Sequence, residues 1–306
     1  MAAHGSANTT RVLSWALIAT LAYIVLTAVA GVRARSLALI SEAGHNLSDF
    51  FALLLSLVAI YFQSRPPSET KTFGYQRAGV LAAFVNATML VGLAFYIFYE
   101  AARRLYLPVE VHAQVMIYVA AAGVVMNGLI ALALYKSSHD LNIRSAFLHE
   151  VGDTLSTGAV IVGGWAILVT RQNWIDSALS FGIGVLILWS AVAIIRETLN
   201  ILLEGTPRGM SLEQVTQQIA STEGVLDVHD LHVWSLGAQT HALSCHICIA
   251  DIPPSASERI LREVKDRLAR SFHINHTTIQ FEHVVCDIAH GCVIPVDEPH
   301  SHPHPH

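Results

Sequence analysis

Six apolar runs, each long enough to cross a lipid bilayer as a helix, fill the first two thirds of the sequence. A spanning helix needs about 20 residues, and the runs cover about residues 12–32, 36–63, 77–106, 112–135, 143–170 and 174–203. Of the 306 residues, 53% are hydrophobic and 13% are charged, against roughly 25% charged in a soluble domain. The sequence predicts a multi-pass membrane protein, an all-α bundle of six transmembrane helices, whose first run is retained rather than cleaved as a signal peptide.

The number of helices and the basic residues beside them predict the orientation in the membrane. An even number of spans leaves both termini on one side. Lys and Arg favour the cytosolic face, and they are slightly more numerous on the side of the termini: Arg11, Arg65, Lys71, Arg77, Lys136 and Arg144, against Arg33, Arg35, Arg103, Arg104 and Arg171. We expect both termini in the cytosol and the plasma (inner) membrane as the location.

The composition also argues against several classes of function. The formal net charge is −5, and the sequence has neither a Gly-rich phosphate loop nor a basic stripe interleaved with aromatic residues, so no nucleic-acid partner and no organic cofactor are expected. All four cysteines, Cys245, Cys248, Cys286 and Cys292, lie in the polar C-terminal third beside many histidines. This favours reduced thiols near a cytosolic metal site over a disulfide framework.

A soluble domain is predicted after the last apolar run, where the composition changes at Glu204-Gly205-Thr206-Pro207. Helical patterns occupy 211–221 and 255–272, and strand-like alternation occupies 225–236, 240–251 and 276–284. The order αββαβ predicts a small α+β sandwich. The chain thus divides into an N-terminal segment (1–11), a transmembrane domain (12–205), a cytosolic α+β domain (206–286) and a His-rich tail (287–306), which alternates His with Pro at its end and is predicted to be disordered.

Two polar pairs of the same kind interrupt the second and fifth apolar runs. His45 and Asp49 are four residues apart, and so are His149 and Asp153. Positions i and i+4 lie on the same face of a helix, so each pair offers an imidazole nitrogen and a carboxylate to one point. Ionisable groups within a bilayer cost at least about 2.5 kcal/mol each. Four of them in two matched pairs indicate the ligands of a transported metal ion.

The depth of the two pairs predicts that they form one site. With a rise of 1.5 Å per residue, His45 and Asp49 lie about 13–20 Å below the outer end of their helix, and His149 and Asp153 lie about 10–17 Å above the inner end of theirs. These depths overlap near the middle of a core about 30 Å thick. Small residues, namely Gly44, Ser48, Gly152, Ser156 and Gly158, would allow the two helices to approach closely. The alternative is that the polar residues only join helices by hydrogen bonds.

Two imidazoles and two carboxylates in a tetrahedral arrangement suit Zn²⁺, which accepts both N and O donors. Cd²⁺, Co²⁺ and Ni²⁺ are plausible companions, whereas a set of carboxylates alone would favour harder ions such as Mn²⁺. A metal must displace the proton of a protonated imidazole to bind, so metal and proton compete for the same nitrogen. This chemistry predicts an exchange of metal for protons.

Two other functions need to be weighed against transport. His149-Glu150 begins like the His-Glu-x-x-His motif of zinc hydrolases, but the fifth position is Asp153, and four protein ligands would leave no open position for a catalytic water. We therefore expect no enzyme and no catalytic residues. A membrane metal sensor, which binds the ion without moving it, is the other alternative.

The predicted strands of the soluble domain carry one candidate metal ligand each: His229, His246 and Glu282. Cys286 and Cys292 follow the last strand and are candidate thiolate ligands. The roles of His232, His241, His283 and Cys248 stay open, whereas Cys245 is expected to face the core as a small hydrophobic residue.

The two pairs and several further motifs resemble the cation diffusion facilitator family, especially its zinc-type branch. The resemblance runs from about residue 12 to 286 and includes Thr72-Phe73-Gly74-Tyr75-Gln76-Arg77, Leu203-Glu204-Gly205-Thr206-Pro207, His229-Asp230-Leu231-His232-Val233-Trp234 and Thr278-Ile279-Gln280-Phe281-Glu282. It implies a homodimeric, proton-coupled exporter of divalent metal that alternates between inward-facing and outward-facing states. It also implies a cytosolic domain with a copper-chaperone-like (ferredoxin-like) fold, which dimerises and binds regulatory metal.

Residue by residue, the resemblance places the transport site on His45, Asp49, His149 and Asp153. It places cytosolic metal sites on His229, His246 and Glu282, with Cys286 and Cys292 of one protomer reaching a site on the other. The prediction is efflux of Zn²⁺, with Cd²⁺, Co²⁺ and Ni²⁺ as further substrates, in exchange for protons.

Overall fold

The computed structural model describes residues 3–63, 65–135, 141–237 and 240–283. The chain forms two compact units. The first contains residues 1–65 and 81–198, and the second contains residues 66–80 and 199–306.

Six long helices account for the predicted transmembrane region: α1 (Ala3–Ala34), α2 (Leu37–Gln63), α3 (Ala78–Tyr106), α4 (Ala113–Tyr135), α5 (Leu141–Thr170) and α6 (Trp174–Leu202). Within the described residues, four segments are long and apolar enough to cross a membrane, namely Ala78–Tyr106, Ala113–Leu132, Glu150–Thr170 and Trp174–Leu202, and Thr20–Ala34 is a shorter apolar one. Large apolar side chains such as Trp165 and Trp189 are exposed on these helices. Apolar outer surfaces of this kind suit contact with lipid, and the predicted membrane bundle is confirmed.

Small side chains form much of the interior of the helical unit. Ala34, Ala38, Ala94 and Ala120 are completely buried, together with larger residues such as Met116. The hydrophobic effect is weak between helices in lipid, so membrane helices are held together largely by dispersion contacts. Small residues strengthen these contacts because they let the helices approach closely.

A buried carboxylate holds the beginning of α2 in place. Asp176, near the start of α6, is 1% exposed and accepts hydrogen bonds from Ser36 Oγ at 2.6 Å and from the backbone N–H of Leu37 at 2.6 Å. Arg104 of α3 lies 3.5 Å from the same carboxylate. A negative charge at a helix N-terminus satisfies free N–H groups and complements the helix dipole. Asp176 thereby fixes the end of α2 from which the polar residues of that helix are positioned.

The second unit has the predicted αββαβ order: α7 (Leu212–Ala220), β1 (Val225–Ser235), β2 (His241–Ile249), α8 (Pro254–Phe272) and β3 (Ile274–Glu282). The sheet order is β1-β2-β3, with β1 antiparallel and β3 parallel to β2. Ser211 caps α7 by accepting a hydrogen bond from the N–H of Gln214 at 3.3 Å, as expected for Ser at this position. The predicted α+β fold is confirmed.

The second unit also includes residues 66–80, which the sequence analysis treated only as a polar connection between two spans. The ring of Phe73 lies edge-on to that of His276, with centroids 5.2 Å apart, and Arg77 pairs with Glu204 at 3.1 Å. A cavity of about 730 Å³ separates this segment in part from β1, with Lys71, His232 and Trp234 in its wall. The segment is thus packed on the α+β domain as part of one unit.

Candidate metal sites

Three of the four predicted membrane ligands lie together. His45 and Asp49 are on consecutive turns of α2, and Asp153 is on α5. Nε2 of His45 lies 3.2 Å from Oδ1 of Asp153 and 3.6 Å from Oδ2 of Asp49. The ligand atoms of the three residues all lie within 4.8 Å of one another. One ion can therefore contact an imidazole nitrogen and two carboxylates at the same time.

The fourth predicted ligand, His149, is on α5 one turn before Asp153. Its side chain lies outside the part of the chain whose side chains the structure describes. The helical backbone at His149 and Asp153 puts the two positions on one face of α5, as the spacing predicts.

The side chains of this cluster are only partly exposed. The exposed fractions are 22% for His45, 33% for Asp49 and 13% for Asp153. A site of this kind is polar and not completely buried, while most of the surrounding helix surface is apolar. Such a balance suits an ion that must enter and leave, because complete burial would make dehydration of the ion harder to reverse.

The small residues near the site have a different role from the predicted one. A side chain at Gly44 would clash with Leu93 of α3, 2.7 Å from the Cβ position, and Ser48 exchanges hydrogen bonds with Asn86 of α3. Among the described residues, Cβ positions built at Gly152 and Gly158 meet no atom within 4 Å. The expectation that Gly44 brings α2 against α5 is wrong, and for Gly152 and Gly158 it stays a prediction, because several side chains of α2 lie outside the described residues. Gly44 and Ser48 instead pack α2 against α3.

Sequence reasoning missed Glu42, which lies one turn before His45 on α2. Its side chain is 1% exposed, and Oε1 makes a short hydrogen bond with the hydroxyl of Thr157 on α5. An acidic residue three positions before the His in an apolar run was a signal that could have identified it, since i and i+3 share a helix face.

The second predicted cluster forms on the sheet of the α+β domain. His229 of β1 and His246 of β2 are direct partners in the antiparallel ladder, and their rings are 5.5 Å apart. Glu282, at the end of β3, joins them: Oε2 lies 3.1 Å from Nε2 of His229, and Oε1 lies 3.0 Å from Nδ1 of His246. The ligand atoms lie within 4.8 Å of one another. The sheet thus unites the three residues that the sequence predicted to lie one per strand.

Two carboxylates of β1, which the sequence analysis did not single out, flank this cluster. Oδ2 of Asp227 lies 3.3 Å from Nδ1 of His229. Asp230 lies 3.0 Å from Nε2 of His232 and 3.8 Å from Nε2 of His246. Asp230 has a positive φ of 52°, at the irregularity in the ladder between His229 and His232. A carboxylate behind a histidine fixes which ring nitrogen carries the proton, and leaves the other for a metal.

The remaining candidates of the α+β domain differ in their surroundings. Cys245 belongs to the core, as predicted, and its burial, together with Asp230, raises the pKa of its thiol to about 12. Cys248 is also buried. His241 is half-buried, and burial together with nearby His273 lowers the pKa of its imidazole. His283 is exposed. Cys286, Cys292 and the His-rich tail lie outside the described residues.

Comparison with known proteins assigns the family. Residues 13–203 match the family described as the cation efflux transmembrane domain, and residues 207–284 match the one described as the cation efflux protein, cytoplasmic domain. The chain therefore belongs to the cation efflux family, the cation diffusion facilitators, and it is a multi-pass membrane transporter and not an enzyme. The predicted family is confirmed.

Three relatives illustrate the similarity. The metal cation efflux system protein CzcD of Cupriavidus metallidurans is 40% identical over 281 residues, which are 91% of this chain and 88% of the relative. The cadmium, cobalt and zinc/H(+)-K(+) antiporter of Bacillus subtilis is 35% identical over 283 residues, 91% of each chain. The zinc transporter ZitB of Pectobacterium atrosepticum is 36% identical over 288 residues, 93% of this chain and 89% of the relative.

Proposed function

We propose that the protein exports Zn²⁺ from the cytosol in exchange for protons, with Cd²⁺, Co²⁺ and Ni²⁺ as further substrates. The main support for this proposal is that the ligand atoms of His45 and Asp49 on α2 and of Asp153 on α5 lie within 4.8 Å of one another. His149 is proposed as the fourth ligand. Membrane helices rarely carry ionisable residues without a functional reason, because burying them in lipid is costly.

The mixed donor set favours zinc. Zn²⁺ accepts nitrogen and oxygen donors in a tetrahedron, whereas Mn²⁺ and Mg²⁺ prefer sites made of oxygen. The names of the relatives support the same choice, since they include a zinc transporter and an antiporter of cadmium, cobalt and zinc.

Protons are proposed as the counter-ion because His45 is shared between two carboxylates. When no metal is bound, a protonated imidazole pairs favourably with Asp153 at 3.2 Å and with Asp49 at 3.6 Å. A divalent ion must displace that proton to reach the nitrogen, since only the neutral imidazole is a ligand. Binding of metal from the cytosol and of protons from the far side would then alternate at one site, as the site opens to each side in turn.

The α+β domain is proposed to be cytosolic, to bind Zn²⁺ at His229, His246 and Glu282 as a regulatory or structural ion, and to form a homodimer. Cys286 and Cys292 remain candidate ligands from the partner protomer. This orientation puts both termini in the cytosol, and the plasma (inner) membrane is the proposed location. The match to the cytoplasmic domain of the family supports this assignment.

Metal flux into proteoliposomes, measured for zinc, cadmium, cobalt, nickel and manganese with and without a pH gradient, tests the proposal. We expect zinc flux to be fast, to require the pH gradient and to be lost in Asp49→Ala and Asp153→Ala. A matched control is Thr88→Ala on α3, whose hydroxyl bonds only to its own helix at Phe84 O (2.8 Å) among the described residues. Binding of zinc without flux in the wild type would indicate a metal sensor instead.

A further inference from the structure

Glu42 is a buried carboxyl group that the proposed transport cycle leaves unused. It lies on α2 between His45 and the α1–α2 turn, and its side chain is 1% exposed. The ionisable groups facing it are Tyr23 of α1, His45 of its own helix and Asp153 of α5. No Lys or Arg is among these groups. Among the residues whose side chains the structure describes, Glu42 therefore has no permanent positive charge to pair with.

The contact between Glu42 and Thr157 indicates whether the carboxyl group of Glu42 is protonated. The hydroxyl of Thr157 has one hydrogen but lies within hydrogen-bonding distance of two acceptors, the backbone oxygen of Asp153 at 2.8 Å and Oε1 of Glu42. A Thr hydroxyl in a helix commonly donates to the carbonyl four residues before it. If Thr157 does so, its contact with Glu42 is a hydrogen bond only when the carboxyl is protonated and donates to the Thr157 oxygen.

The second oxygen of Glu42 supports the same protonation state. Among the residues whose side chains the structure describes, Oε2 accepts no hydrogen bond of good geometry, although the side-chain amide of Asn46, on the same helix, interacts with the carboxyl group. In an apolar interior, an ionised carboxylate with an oxygen that accepts no hydrogen bond is much less favourable than a neutral carboxylic acid in the same place. The geometry thus fits a neutral carboxylic acid that joins α2 to α5 next to the proposed metal ligands.

We propose that Glu42 is a proton-binding site of the transport cycle. This inference rests on the proposed exchange of metal for protons. When a divalent ion enters the site next to it, the ion's charge stabilises the carboxylate, and Glu42 releases its proton to the water on the side to which the site is open. The hydroxyl of Thr157 then turns its hydrogen from the Asp153 carbonyl to Oε1, so the link between α2 and α5 persists. After the metal leaves on the opposite side, a proton from that side restores the acid.

Glu42→Gln separates this role from a structural one. A Gln amide keeps the size and the neutral charge of the protonated acid, and its N–H donates to the Thr157 oxygen in the same way, but it cannot release a proton. Calorimetric titration of the purified full-length protein with zinc, in buffers with different ionisation enthalpies, counts the protons released per ion. We expect Glu42→Gln to bind zinc within about threefold of the wild-type affinity while releasing about one proton fewer per ion.

Glu197→Gln, the same exchange at an exposed position of α6, is the matched control and should leave the count unchanged. An unchanged count of released protons in Glu42→Gln would overturn the inference.

If Glu42→Gln does not fold, the infrared carbonyl band of a protonated carboxylic acid in the wild type is measured instead. The band should disappear when zinc binds to the wild type and should shift in Glu42→Asp; a band that persists with zinc would also overturn the inference. If the wild type itself releases no protons, the proposed exchange fails instead, so the two failures are distinguishable.

Discussion

Nε2 of His45 on α2 lies 3.2 Å from Oδ1 of Asp153 on α5, although the two residues are 108 positions apart in the chain. This one contact converts two separate His-x-x-x-Asp patterns into a single cluster. It also makes both helices part of one site, so any tilt of α5 relative to α2 changes the distance between ligands. If these residues bind the transported ion as proposed, a change of that kind would couple helix movement to metal release.

The nature of the ligand at position 45 should control metal selectivity. Replacing His45 by Asp exchanges a neutral nitrogen donor for a negatively charged oxygen donor, which harder ions prefer. We expect His45→Asp to raise transport of Mn²⁺ relative to Zn²⁺ by about tenfold and to weaken the competition by protons near neutral pH. Competition flux assays at two pH values measure both effects. Unchanged selectivity would show that His45 is not a ligand.

Asp227 should affect the zinc affinity of the cluster on the α+β domain without being a ligand. It lies 3.3 Å from Nδ1 of His229, on the side of the ring opposite Nε2, which faces Glu282. Loss of such an outer carboxylate typically costs about 10–100-fold in metal affinity. We expect this loss in Asp227→Asn, measured by zinc titration in an Asp153→Asn background that removes the membrane site.

The control for Asp227→Asn is Asp251→Asn, an exposed position after β2. Glu282→Gln should be more damaging than either, because it removes a proposed ligand that joins both histidines. Equal affinities of Asp227→Asn and the control would mean that the contact with His229 has no role in metal binding.

Cys245 should be unreactive as long as the domain is folded. Its pKa of about 12 leaves about one thiolate in ten thousand at pH 8, and the thiolate is the reactive form. We use a variant in which the other three cysteines are replaced by Ser. At pH 8 we expect iodoacetamide to alkylate Cys245 only after unfolding, and we expect the rate of alkylation to rise as the pH increases. Rapid alkylation of the native protein at pH 8 would contradict the buried position.

Asp176 should be important for the stability of the helical unit. Asp176→Asn keeps the size of the side chain but removes the negative charge. The carboxylate that is lost accepts hydrogen bonds from the Ser36 hydroxyl and the backbone N–H of Leu37, and it pairs with Arg104. The loss of a buried, charged hydrogen-bond acceptor costs about 1–3 kcal/mol. Thermal unfolding in detergent should show a lower midpoint, whereas Glu110→Gln, in the loop before α4 and exposed, should unfold like the wild type.

Much of the architecture could be predicted because its signals are local. Apolar length indicates a spanning helix, and period-2 alternation indicates a strand, so α1–α6 and β1–β3 begin and end within a few residues of their predicted positions, except that α1 begins earlier, at Ala3. The i, i+4 spacing likewise indicated which residues of α2 share a face.

The residues that the sequence did not reveal depend on long-range packing. Glu42 matters through Thr157, which is 115 positions away, and Asp176 through the turn before α2, about 140 positions away. Gly44 was expected to face α5, but it faces Leu93, because the rotation of a helix about its own axis depends on all of its neighbours. No local pattern contains that information.

Zinc flux driven by a pH gradient in Asp153→Asn tests whether the cluster of His45, Asp49 and Asp153 is the site of transport. Asn keeps the size of the side chain but loses the charge that pairs with His45, so the cluster from α2 and α5 is broken without a cavity. We expect wild-type proteoliposomes to move zinc against its own gradient when protons flow the other way, and Asp153→Asn, folded and inserted to the same level, to lose at least about 95% of this flux. Proton-driven zinc flux at the wild-type rate in Asp153→Asn would show that the cluster of His45, Asp49 and Asp153 is not the transport site.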